Sequence, residues 1–268
     1  VPLLRLPFAA EGTAPDPYDT AVILPLRDTA AEDLAERLLR GLDDALMLAL
    51  PGLEEVVVEI GDGGTGGEVR TLRRRAEEHG VTLEDSRDGA TRWRTVSHHG
   101  PLDPALLADR PVEERLRPQW SVTWAVPVDT DGTPGRPRTS PVVHAPTPSD
   151  EPLGVPALLI ASLPLDTSRR HAAPGPLTDF LVERAADAYA ELLAAWSPVD
   201  AGIIDLVPGP LGKGELDGVL RRAILDRLPR TAFLPLLSRP AAGERRPGHR
   251  RRLAREQRRG TPGRPAAP

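Results

Sequence analysis

Leu163-Pro164-Leu165-Asp166-Thr167-Ser168-Arg169-Arg170 is an apolar run that ends in a polar corner and carries two arginines ahead of a helical pattern. A guanidinium on a stiff bend can make a bidentate contact to phosphate oxygens as charge shifts during phosphoryl transfer, so Arg169 is the candidate catalytic residue. Arg170 could join it on the phosphate or pair with a carboxylate; both arginines fit a solvated, salt-bridged surface as well. Ser168 reads as a turn or helix-capping hydroxyl rather than a nucleophile. His171 could complete a phosphate-facing cluster or lie on the surface. His79, His98, His99, His144 and His249 are scattered along the chain. His98 and His99, as strand neighbours, would point to opposite faces and cannot chelate one metal together, so no metal site is expected.

Other chemistry finds little support. The chain has no cysteine, which removes disulfides, thiolate metal sites and thiol nucleophiles together. Neither a Gly-x-Ser-x-Gly elbow nor a His-Glu-x-x-His helix is present. Gly209-Pro210-Leu211-Gly212-Lys213-Gly214 lacks the Gly-Lys-Ser/Thr ending of a phosphate loop and reads as the turn that leads into a helix. The glycines between 61 and 67 read as a hairpin loop.

Several elements must position the corner. Strands are expected over 3–8 and 20–27, separated by a polar loop. Thr29 with Glu32 forms a capping box, and Leu34, Leu38, Leu42, Ala45 and Leu46 follow at helical spacing, predicting a helix over 30–50. Strands are expected over 54–60 and 68–75 as a hairpin, then over 91–97, 119–127, 142–144 and 155–165. Short helical turns fall at 104–116 and an exposed loop at 129–140. A helix over 176–196 has Leu177, Leu181, Ala185, Ala188, Leu192 and Trp196 in one stripe, with Pro176 suited to its first position. A short strand over 202–207 and a helix over 214–228 complete the pattern. Strands interleaved with helices predict an α/β (α+β) layer fold, a mixed sheet with flanking helices.

Of the 268 residues, 40% are hydrophobic but only 3% aromatic, so Leu, Val and Ala must fill the core around Trp93, Trp120, Trp124 and Trp196. No apolar run approaches the length needed to cross a bilayer, and no export signal opens the chain, so a cytoplasmic protein is expected. Asparagine is absent and Lys213 is the only lysine, a usage that fits a high-GC bacterial coding bias. From Arg239 onward ten arginines face two glutamates, a net +8 that leaves −13 for the rest of a chain of net −5. Residues 236–268 are therefore expected to be a disordered, Arg-rich tail. It could be a solvated tail, a binder of nucleic acid or an acidic surface, or the product of a shifted reading frame.

The corner resembles the Leu-Pro-Leu-Asn-x-Ser-Arg-Glu turn in the middle domain of heat-shock chaperone ATPases of the ninety-kilodalton class. Residues 19–28, Asp-Thr-Ala-Val-Ile-Leu-Pro-Leu-Arg-Asp, resemble the strand that closes the ATP-binding domain of that class. Ala145-Pro146-Thr147-Pro148, the strand from Gly154 and the Arg169-Arg170 pair are similar to the bacterial sacsin-like branch. The resemblance covers residues 3–235. It implies that residues 1–29 are the last strands of an incomplete ATP-binding domain and that 30–235 form a middle-domain-like unit. It also implies that Arg169 and Arg170 face the nucleotide. That superfamily holds Mg²⁺ with an asparagine, which this chain lacks. Asp62-Gly63-Gly64-Thr65-Gly66 fits its Asp-x-Gly-x-Gly box, but the preceding helix offers Asp43-Asp44-Ala45 where a Glu and an Asn four residues apart should accompany it. ATP and Mg²⁺ would thus bind only in the intact parent protein, on an upstream ATP-binding domain. The expected partners are that domain and client proteins, with nucleic acid reached only through the basic tail. The rival expectation is a non-catalytic protein-interaction module with a basic tail.

Overall fold

The alternation in Gln119–Val128 sets the two faces of the sheet. Val122, Trp124 and Val126 enter one core, and Ala125 between them enters the other. The computed structural model describes residues 12–61, 67–197 and 201–234. Its strands are β1 (Glu55–Ile60), β2 (Glu68–Glu77), β3 (Gly80–Asp85), β4 (Gly89–Pro101), β5 (Gln119–Val128), β6 (Val142–Ala145), β7 (Thr147–Pro152) and β8 (Leu158–Ala161). They form one sheet in the order β1-β2-β3-β4-β5-β8-β6-β7. Each neighbouring pair is antiparallel except β6 with β8. The helices are α1 (Thr29–Arg40), α2 (Asp44–Ala49), α3 (Val112–Arg115), α4 (Pro176–Ala194) and α5 (Glu215–Arg227). The result is the expected mixed, layered α+β fold.

The larger core lies under α4 and α5. Leu177, Leu181, Ala185, Ala188 and Leu192 line the inner side of α4 as the spacing predicts, with Trp196 just beyond its end. Trp124 donates its indole N–H to the Ala185 carbonyl at 2.8 Å and meets Tyr189 edge-on at 4.7 Å. Tyr189, fully buried, donates to the Leu206 carbonyl at 2.6 Å. Burial pushes its phenol pKa well above the ordinary value. The smaller core lies on the opposite face, where Met47 and Leu48 of α2 cover Leu72, Val81, Leu83, Trp93 and Ile160.

Several expectations need correction. Residues 20–27 form no strand: the segment has no ladder partner among the described residues, and Val22, Ile23, Leu24 and Leu26 are exposed. The helix over 30–50 is broken at Gly41 into α1 and α2, because Asp43 caps a second helix by accepting from the Ala45 N–H at 3.0 Å. Asp28, not Thr29, caps α1 by accepting from the Ala31 N–H. Residues 201–206 form a 3-10 turn instead of a strand. Ile203 and Leu206, three apart, are buried while Ile204 is exposed, a spacing of three that mimics a short apolar strand. The strand over 155–165 shortens to β8. Strands β3 and β7 were not anticipated; β7 carries Pro148 and Pro152, which its place at the sheet edge tolerates. Residues 3–8, 62–66 and the basic tail lie outside the described residues.

Candidate functional site

The segment between β8 and α4 folds back on itself. Leu165 bridges Ala172, the Asp166 N–H donates to the His171 carbonyl at 2.9 Å, and the Ala173 N–H donates to the Pro164 carbonyl at 2.7 Å. The loop is anchored on β7: the Asp150 N–H donates to the Arg170 carbonyl at 2.7 Å, and the Glu151 carboxylate accepts from the Ala172 N–H at 3.0 Å. Pro164 is buried beneath it. A corner tied by backbone bonds to an eight-stranded sheet loses little further entropy when its tip meets a ligand.

Asp166 organises the tip. Its Oδ1 accepts from the Ser168 hydroxyl at 2.6 Å and from the Arg170 N–H at 3.3 Å, while its carbonyl accepts from the Arg169 N–H at 3.0 Å. These bonds, the Ser168 hydroxyl first, hold the Asp166 carboxyl below the usual carboxylate range. Ser168 is thereby a turn hydroxyl, as its position suggests. Arg169 sits at the apex with φ 58°, the one non-glycine residue at positive φ among those described. This left-handed conformation costs an L-residue about 1–2 kcal/mol.

The two arginines are treated differently. Arg170 Nε pairs with Asp150 at 2.7 Å across an exposed surface. Arg169 is exposed, and its guanidinium makes no hydrogen bond or ion pair among the described residues. His171 Nδ1 lies 3.3 Å from Glu151 Oε1. The tip thus offers one free guanidinium next in sequence to a paired arginine and a carboxylate-bound histidine. Such an arrangement can bind an anion.

The anchors Asp150 and Glu151 were not singled out from sequence. Lying about twenty residues before the corner, they have no spacing that could reveal them; only the β7 pairing brings them in.

The remaining candidates resolve structurally. Lys213 belongs to the turn before α5, where the buried Asp217 accepts from the Lys213 and Gly154 N–H groups and from Arg221 Nε. His98 turns toward α4 and meets Glu191 at 2.8 Å, while His99 lies on the opposite face. His144 is buried on β6 with Nε2 unpartnered, and burial lowers its pKa despite the nearby Asp43 carboxylate. Among the described residues no group of three or more His, Asp or Glu could hold a metal ion.

Comparison of the chain with protein-family models, with curated proteins and with solved structures finds no match, so the functional reading rests on the residues themselves.

Proposed function

We propose that this chain is part of a sacsin-like, heat-shock-type ATP-dependent chaperone protein of the bacterial cytoplasm. In this reading it supplies Arg169 to a nucleotide held by a separate ATP-binding domain. The observation that carries the reading is the apex itself. A strained, solvent-facing arginine without a partner among the described residues stands on a corner where Asp166, Ser168, Arg170 and His171 are all engaged. Such strain persists where a side chain must be presented. A guanidinium brought onto the γ-phosphate on closure would neutralise charge developing on the transferring group and couple hydrolysis to client handling.

The first part of the described chain supports the same reading. Val22, Ile23, Leu24 and Leu26, with Leu34, Leu38 and Leu39 of α1, leave an apolar arm open to solvent. Exposed apolar surface of this kind marks an interaction site, here with the ATP-binding domain. The chain's own part is to bind and orient phosphate. In this reading the adenine and Mg²⁺ contacts fall to other polypeptide, since the asparagine that holds Mg²⁺ in the class it resembles is absent here.

Calorimetry on this chain should show no micromolar ATP binding; such binding would refute the division of labour. In protein that includes the ATP-binding domain, Arg169→Gln should lower single-turnover hydrolysis by about a hundredfold with ATP affinity little changed. The same arm also fits the second reading, a non-catalytic interaction module, which predicts that Arg169→Gln changes nothing. For that module, retention on heparin should vanish when residues 239–268 are deleted. No helix among the described residues is long and apolar enough to cross a membrane.

A further inference from the structure

A cleft lies away from the corner, on the face of the sheet that α2 covers. The β3–β4 ladder ends at Gly80 opposite Arg94, where a Cβ would meet the Trp93 carbonyl oxygen at 1.9 Å and only glycine fits. Strand β4 runs on to Pro101 with only β5 beside it. The six-residue α2 ends at Ala49 and leaves this stretch uncovered. A cleft of about 450 Å³ remains, within the range of small-molecule sites.

The side chains change character where the helix ends. On the same face as Trp93 and Ala125, both buried under α2, the strands continue with Thr95 and Ser97 on β4 and with Thr123 and Ser121 on β5. The Ser97 and Thr123 hydroxyls are 2.8 Å apart. Leu48, Val81 and Ile160 supply apolar walls. Arg74 of β2 also lines the cleft. Its Nε is shielded from solvent and has no partner, and its guanidinium makes no ion pair among the described residues. The buried arginines behave otherwise: Arg70 is bound to Asp85 and Arg221 to Asp217. A shielded, unsatisfied N–H beside a row of hydroxyls and an apolar wall is complementary to an anion with a carbon body.

We propose that this cleft binds a small organic anion, its carboxylate or phosphate group on Arg74 and its body against Leu48 and Ile160. The site is independent of Arg169. Calorimetry on the full chain with two probes, butyrate and methyl phosphate, tests it and tells carboxylate from phosphate. At least one probe should bind at millimolar concentration or below. Arg74→Gln should weaken that binding about tenfold or more. Ser97→Trp, at an exposed position that does not threaten the fold, should fill the cleft and abolish binding. The proposal is overturned if neither probe binds the wild-type chain, or if a folded Ser97→Trp or Arg74→Gln variant binds as tightly as wild type.

Discussion

Two turns lead into the two long helices of the larger core, and each is organised by an aspartate that collects backbone N–H groups. Before α5, Asp217 gathers the Gly154 and Lys213 N–H groups together with the Arg221 guanidinium, whose Nη1 also donates to the Gly209 carbonyl at 2.6 Å. Before α4, Asp166 gathers the Ser168 hydroxyl and the Arg170 N–H but takes no guanidinium. Arg221 is held at Nε and Nη1 and is almost without exposure, at 6% of its side chain; Arg169 stands free at the tip among the described residues. The same polar device therefore builds the fold in one place and presents a side chain in the other. Burial decides which, because a desolvated guanidinium must be paired while an exposed one need not be.

The largest effect should come from breaking the buried turn. Asp217→Ala leaves Arg221 buried without its carboxylate and two N–H groups unsatisfied, and should cost about 3–5 kcal/mol in urea unfolding. Acid should do the same to the matching pair on the opposite face. The Arg70 guanidinium holds the Asp85 carboxyl down to about 2 from 3.8. A depressed folded-state pKa stabilises above the unfolded value, so this contribution, about 2 kcal/mol, is complete above pH ~4 and lost as pH falls toward 2. Unfolding midpoints followed over that window check it, and the Asp85→Asn variant should flatten the profile.

A subtler probe is Gly154→Ala. The added Cβ would lie 1.9 Å from Arg221 Nη2, so the guanidinium must shift; the expected cost is about 1–2 kcal/mol, since a side-chain end yields more readily than backbone. The smallest effect belongs to the exposed corner. Arg169→Gly removes the left-handed strain but frees the unfolded chain, so stability should change by no more than about 1 kcal/mol. If Arg169→Gly proved as damaging as Asp217→Ala, the contrast between the two turns would disappear.

Legibility differed between elements for physical reasons. The stripe of α4 and the alternation of β5 were plain because each buries one periodic face. Residues 20–27 carry an apolar run of strand length, yet a strand exists only when a neighbour completes its ladder, and none of the described residues does so. Residues 201–206 misled because a spacing of three and a spacing of two look alike over six residues. At the candidate site, the place of Arg169 on the corner and the turn role of Ser168 could be read locally. The anchors on β7 and the cleft at Arg74 could not, since both arise from strands distant in the chain.

The amino-acid order alone determined the layered α+β class, the two long helices and the polar corner between β8 and α4, because periodicity, capping and turn chemistry act over a few residues. Tertiary structure alone decided which arginines are bound and which stand free. A guanidinium's partner is set by what the folded sheet brings alongside it, and by how much water remains there to replace a missing one.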